Sequence, residues 1–171
     1  MARVAQKRKI YTILGIDPGT CVTGYGLIRT DLLHYEPLDY GVVRPPQKLP
    51  LFKRQLMIYE GIGHVLEKLE VDAISIENQY IGKNPQSILK LGMAKGVAIL
   101  AGTQRDIPIF EYAPKKAKLA VVGMGHATKA QVGRMIQSLL NLHEVPQPED
   151  ASDALALAIC HSHYIHGSVH A

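Results

Sequence analysis

Apolar and polar residues alternate along this chain with two different periods, and the change of period marks its elements. Ile10–Asp17 is almost wholly apolar up to its last residue, which predicts a central, buried strand. Pro18-Gly19 breaks it. Val22–Arg29 reads as a second strand and part of His34–Arg44 as a third, and the short links between them predict an antiparallel meander. After the loop of Pro45, Pro46 and Pro50 the spacing becomes helical, with Leu51, Leu56, Ile58, Ile62, Val65, Leu66 and Leu69 on a helix over Leu51–Leu69. Asp72–Glu77 is a short apolar strand ending in an acid, Asn84–Thr103 a second helix and Ile107–Tyr112 a strand with Pro108 near its start. Two shorter helices are predicted near Pro114–Val121 and Thr128–Leu140, with Thr128 as N-cap of the second. Pro146 and Pro148 precede a last helix over Glu149–Tyr164. This order predicts an α/β chain with a mixed five-stranded sheet flanked by helices.

The Asn84–Thr103 helix is apolar on two sides. Ile88, Leu91, Ile99 and Gly102 run along one, and Leu89, Met93, Val97 and Leu100 along another. Such a helix wants two partners. The sheet is one. The other is either a second copy of the chain, approaching closely at Gly92, Ala94, Gly96 and Ala98, or a further helix of the same chain.

At 171 residues the chain has room for one domain. The expected division is a disordered basic tail over 1–9, a domain over 10–166 and a C-terminal tail over 167–171. No apolar run approaches the ~18 residues that span a membrane, and the start lacks the apolar core of a secretory signal. Cys21 and Cys160 form no CxxC motif and suit a reducing, cytoplasmic setting.

Charge is unevenly spread. Residues 81–134 hold nine basic side chains and only two acids, Asp106 and Glu111, whereas residues 135–171 hold four acids and no Lys or Arg. A basic middle flanked by acidic segments fits a polyanion partner, nucleic acid above all, and equally an unevenly solvated surface.

Four acids stand out by position. Asp17 and Glu77 each end a strand, and Asp150 and Asp153, three apart, share a helix face. Singly, each has a plainer reading: a turn residue, an exposed strand end, a partner for the helix dipole. If the first and fourth strands are neighbours, Asp17 and Glu77 meet at their ends and the last helix can bring in the pair, and four carboxylates that close repel unless cations lie among them. Hard divalent cations such as Mg²⁺ take oxygen ligands, and a pair of them about 3.5–4 Å apart serves in-line displacement at phosphorus. Histidine competes poorly here. His161 lies about 12 Å along the helix from Asp153, and it is expected with His163, His166 and His170 on a fraying C-terminal end.

These residues fall in longer motifs. Leu14-Gly15-Ile16-Asp17-Pro18-Gly19 with Thr23-Gly24-Tyr25-Gly26, then Ile76-Glu77-Asn78-Gln79-Tyr80, then Asp150-Ala151-Ser152-Asp153-Ala154-Leu155-Ala156 resemble the RuvC family of Holliday-junction resolvases. Leu89-Lys90-Leu91-Gly92, Lys95-Gly96-Val97-Ala98, Glu111-Tyr112-Ala113 and Val121-Val122-Gly123-Met124-Gly125 extend the resemblance over Ile10 to His163. It implies an RNase H-like fold and a homodimer, expected here through the helix near 84–103. The dimer would cut a four-way DNA junction at two symmetric places during recombination and repair, leaving 5′-phosphate and 3′-hydroxyl ends.

By the same resemblance Asp17, Glu77, Asp150 and Asp153 are the ligands of Mg²⁺, two ions per subunit, with Mn²⁺ able to substitute. Tyr80 stands where many members stack a Phe on a base, and Lys118 and Lys129 match basic positions near the scissile phosphate. Lys83, Lys115, Lys116 and Arg134 are further candidate DNA contacts, each also readable as a solvated surface charge. Gly123 and Gly125 could let backbone approach a phosphate or simply punctuate a loop. The RuvA–RuvB branch-migration machinery is the implied partner. The chain departs from the family pattern in its late first strand, in Cys21 where Arg is common, and in Pro114 after Glu111-Tyr112.

Two other classes remain open at this point. One is a non-catalytic junction-binding or scaffold protein of the same fold. The other is an actin-like or sugar-kinase ATPase lobe, suggested by Asp17-Pro18-Gly19-Thr20 with Gly24, although such enzymes need two lobes.

Overall fold

The computed structural model describes residues 9–78 and 84–169. Five strands and five helices follow in the order β1 (Tyr11–Asp17), β2 (Thr23–Thr30), β3 (Tyr35–Val43), α1 (Leu51–Lys68), β4 (Ala73–Glu77), α2 (Pro85–Thr103), β5 (Ile109–Tyr112), α3 (Pro114–Val122), α4 (Lys129–Leu139) and α5 (Glu149–Val169). The strands form one sheet in the order β3-β2-β1-β4-β5. β1, β2 and β3 are antiparallel neighbours, as their short links predicted, while β1–β4 and β4–β5 are parallel.

Strand alternation sorts side chains between two cores. Ile13 and Ile28 face α5, packing with Leu155, Leu157, Val121, Val132 and Ile136. Leu14, Ile16, Leu27, Ile74 and Ile76 face the other way, against Ile62, Val65 and Leu66 of α1 and Ala98 and Ala101 of α2. The same parity returns Asp17 and Glu77 to the α5 side. The β1–β4 register pairs Ile16 with Ile76, so the two acids stand one step further on, level with each other.

Glycines bring α5 down onto the sheet. A Cβ on Gly15 would overlap the Ala154 carbonyl oxygen, one on Gly24 the Asp150 carbonyl oxygen, and one on Gly26 would stand 2.6 Å from Leu155 Cγ. Strand positions without side chains thus let a helix backbone touch β1 and β2, setting the depth of Asp150 and Asp153.

Four expectations need correction. α5 runs to Val169, past Tyr164, with Ile165 still packed on the core and the Tyr164 ring near that of Phe110, while Gly167 and Ser168 are exposed. His161 is 1 % exposed; its Nδ1 lies 2.8 Å from the Tyr112 hydroxyl and its ring 4.2 Å from that of Phe110. His163 is exposed, yet its Nε2 lies 2.8 Å from the Tyr35 hydroxyl, so it too is engaged by the sheet, while His170 lies outside the described residues. On α2, Ala94 and Ala98 are buried in the chain's own core, with α1 alongside, and only Gly92 and Gly96 of the four small residues face open space.

Candidate active site

Three elements deliver charge to one end of the sheet. Asp17 and Glu77 stand at the C-terminal ends of adjacent parallel strands, and α5 presents Asp153 over them from its second turn. Asp17, Glu77 and Asp153 line a cavity of about 220 Å³, closed on its other sides by Lys118 and Pro114 of α3, Lys129 and Val132 of α4, and Ala156 and Leu157 of α5. Asp150, expected with them, does not line this cavity; its backbone lies against Gly24 of β2, and its charge still acts on Asp17.

Crowding is strong. Burial, then the charges of Glu77, Asp153 and Asp150, push the Asp17 carboxyl up to about 8, against a smaller opposing pull from Lys129. Glu77 is raised as well, by burial and Asp153, and is eased back by Lys129, a hydrogen bond from Asp17, and Lys118. Lys129 Nζ lies 3.1 Å from Asp153 Oδ2 and 3.3 Å from Glu149 Oε2. Burial pulls its ammonium down, but the two carboxylates outweigh that and hold it up at about 12. A capping box between Thr128 and Gln131 fixes the first turn of α4 and so the root of Lys129.

The donor set is all oxygen, without imidazole or thiolate, which fits a hard divalent cation. Among the described residues no three acidic, His or Cys side chains are drawn tightly enough together to cage one ion. Three carboxylates line the cavity, and Lys129 and Lys118 supply the local positive charge.

The other candidate residues distribute themselves differently. Arg134 lines a neighbouring cavity of about 240 Å³ that shares Lys129 and Asp153 with the first. Lys115 and Lys116 are exposed on α3, and Lys116 Nζ stands 5.1 Å from the centre of the Tyr112 ring, away from the carboxylates. Tyr80 and Lys83 lie outside the described residues. Gly123 caps α3 at φ 77°, a left-handed turn that accounts for the glycine by itself. Pro114 is the first residue of α3, where a proline costs no hydrogen bond.

Sequence reasoning missed Glu149 as the second partner of Lys129. Its spacing of four from Asp153, one helical turn, was the available signal. It also missed the partners of Lys95, which meet only through the sheet.

The likeness to known proteins agrees with this geometry. Residues 13–161 match the family model for crossover junction endodeoxyribonuclease RuvC. The crossover junction endodeoxyribonuclease RuvC of Protochlamydia amoebophila is 55 % identical over 150 residues, covering 88 % of this chain and 89 % of that protein. That of Chlamydia pneumoniae is 48 % identical over 154 residues, covering 88 % and 92 %. In structure, RuvC of Thermus thermophilus in complex with Holliday junction substrate superposes with a TM-score of 0.87 at 30 % identity, covering 92 % of this chain and 96 % of that one. The yeast mitochondrial Holliday junction resolvase Ydc2, at a TM-score of 0.66 and 14 % identity, shares the fold. That fold is the RNase H-like one expected from the motifs. With the motif acids gathered at one end of such a sheet and the match running through nearly all of the described chain, this chain belongs to the RuvC family of crossover junction endodeoxyribonucleases.

Proposed function

We propose that the chain resolves four-way DNA junctions by two symmetric phosphodiester cleavages, with Asp17, Glu77, Asp150 and Asp153 holding the cations of this metal-dependent nuclease. The observation that carries the assignment is the convergence of Asp17, Glu77 and Asp153 with Lys118 and Lys129 on one cavity. Mg²⁺ is the proposed occupant, two ions per subunit, with Mn²⁺ able to replace it. Bound there, the cations would supply Lewis acidity for an attacking water and for the leaving 3′ oxygen.

The chain's own side chains do the rest. Lys118 and Lys129 hold the scissile phosphate and offset charge that grows on its oxygens during the reaction. Their fixed placement, Lys118 in the middle of α3 and Lys129 on the first turn of α4, spares the reaction the cost of arranging them. Hydrolysis leaves a 5′-phosphate and a 3′-hydroxyl. Lys115 and Arg134, exposed on either side, neutralise flanking phosphates, and Lys116 does so more weakly because its ammonium is already over Tyr112. Tyr80, three residues beyond Glu77 in sequence, supplies an aromatic face for an unstacked base, and Lys83 a further phosphate contact.

One such site cuts one strand, so symmetric cutting calls for two. The second belongs to a second copy docked on α2, where Leu89 is 66 % exposed beside Met93 and Leu100, and Gly92 and Gly96 leave room for a close backbone. The setting is the cytoplasm, with the RuvA–RuvB complex delivering the junction.

A synthetic mobile four-way junction, beside linear duplex, tests this with Mg²⁺, Mn²⁺ and EDTA. Paired symmetric nicks on the junction alone, lost in EDTA, are expected. Binding without cutting under either metal overturns the reading in favour of a scaffold, and equal cutting of duplex removes the junction selectivity.

A further inference from the structure

Behind the carboxylates, on the opposite face of the sheet, Lys95 of α2 is nearly enclosed. Its side chain is 14 % exposed, and its ammonium donates to Glu111 Oε2 at 2.6 Å and to Asn78 Oδ1 at 3.0 Å. The alternation that turns Glu77 and Tyr112 toward α5 turns Asn78 and Glu111 toward α2. One ammonium therefore ties the ends of β4 and β5 together from behind. Asn78 directly follows Glu77, and its N–H donates to the Tyr112 carbonyl at 2.8 Å, one step past the end of β4. Glu111 lies three residues before Pro114, where α3 begins and leads to Lys118.

We propose that Lys95 is a positioning residue for strand cleavage, clamping the end of β4, which carries Glu77, to the end of β5, which leads through Pro114 into the α3 helix of Lys118, and coupling both to the seating of α2. The inference rests on the resolvase reading above. α2 does not need this pair to stay attached, because Ala94, Ala98, Ala101 and Gly102 already pack into the core. What the pair adds is a side-chain link on top of the ladder: Glu111 lies within β5 opposite Ile76, Asn78 lies one residue past β4, and one ammonium joins the two. An ammonium withdrawn from water holds its partners firmly, since separating them leaves a poorly solvated charge. The helix that makes this brace also bears the exposed apolar residues Leu89, Met93 and Leu100, so docking of a second copy on α2 acts through Lys95 on the end of β4, which carries Glu77.

The test uses the full chain carrying Lys95→Met, with Glu111→Gln beside it. Residues that orient metal-binding side chains are worth about 10–100-fold in activity or metal affinity. The expected results are a kcat on the four-way junction lowered by about tenfold or more, Mn²⁺ binding to the DNA-free protein weakened to a similar degree, and unchanged junction Kd and dimer mass. Lys95→Arg, whose fork reaches two acceptors, recovers most of both losses. Wild-type kcat and Mn²⁺ affinity in Lys95→Met, with a lowered Tm as the sole change, overturns the clamp. If Lys95→Met does not fold, Glu111→Gln, which leaves Lys95 with Asn78, decides on the same readouts. Wild type that neither cuts junctions nor binds Mn²⁺ overturns the resolvase reading and the clamp with it. Wild type that does both, losing both in Asp153→Asn, leaves the clamp to stand or fall on Lys95 alone.

Discussion

Lys129 stands where a cation would be wanted: its Nζ lies 3.1 Å from Asp153 Oδ2, across a cavity that Asp17 and Glu77 also line. A divalent ion held in the proposed way would compete with the ammonium for the same carboxylate. Removing the ammonium should split two properties that usually fall together. Lys129→Met is expected to bind Mn²⁺ several-fold more tightly, because Asp153 is released. It should cleave about 100-fold more slowly, because the phosphate loses its electrostatic partner. Mn²⁺ titration of the DNA-free protein and single-turnover cleavage measure the two separately. Parallel losses in both would mean that Lys129 helps to build the cation site and does not compete with it.

The crowding that suits Asp17 to a cation works against the fold without one. Its carboxyl is held at about 8, against 3.8 for an ordinary Asp, so the unfolded chain releases this proton at lower pH than the folded chain does. Stability contributed by the protonated form is complete below the unfolded value and drains away as pH rises toward the folded one. Asp17→Asn should then raise the unfolding free energy in EDTA at pH 8 by on the order of 1–3 kcal/mol while abolishing cleavage. Wild type should gain thermal stability from Mn²⁺, and the variant should gain much less. Urea unfolding and thermal melts with and without Mn²⁺ check both; a variant less stable than wild type in EDTA would contradict the account.

His161 gives the opposite pH dependence. Burial holds its imidazole down at about 4, against 6.5 when unfolded, so it stays neutral beside Tyr112, Phe110 and Tyr164. Between those values only the unfolded chain takes up the proton, and stability falls as pH drops. The loss should reach on the order of 2–3 kcal/mol by pH 4. His161→Gln, whose amide can donate or accept toward the Tyr112 hydroxyl, should remove that share of the acid sensitivity in urea unfolding at pH 7 and pH 4.5. Identical pH slopes in the two proteins would exclude His161 as the source.

Much of this was legible from period and punctuation. The five strands, the order of the helices and the Thr128 cap all rest on local pattern, and so survive in the structure nearly where the sequence puts them. What escaped was whatever depends on contact across the sheet. His161 looks like one of four histidines near a chain end until Phe110 and Tyr112 are laid against it. Lys95 looks like one surface charge of nine until alternation brings Asn78 and Glu111 to its side of the sheet.

The glycine seam is the same kind of hidden feature, and it makes a sharp prediction. Gly15 reads as a motif residue, yet its physical role is to let the Ala154 carbonyl of α5 touch β1. Gly15→Ala forces α5 away or prevents folding, because the obstacle is backbone that cannot rotate aside. A loss of about 3 kcal/mol or more is expected, at the upper end for single substitutions. Gly96→Ala, whose added methyl meets nothing within 4 Å in the same chain, should leave monomer stability unchanged or slightly raised. Equal effects of the two in equilibrium unfolding would refute the seam.

The last prediction concerns the outer face of α2. Leu89 and Leu100 are 66 % and 49 % exposed, and Met93 lies between them, an apolar stripe on a helix whose inner face is already packed. A charge there costs the folded monomer little, since those positions face water, but costs a dimer the desolvation of an unpaired carboxylate. Leu89→Glu with Leu100→Glu should therefore shift the mass in solution from dimer to monomer with Tm nearly unchanged at low concentration. A monomer has one carboxylate cluster, so paired symmetric cuts should fall away before metal binding does. Light scattering and Mn²⁺ titration on the same sample separate the outcomes. A dimer that survives both substitutions would move the subunit contact off α2, and a monomer that still makes paired cuts would break the link between subunit count and cut count.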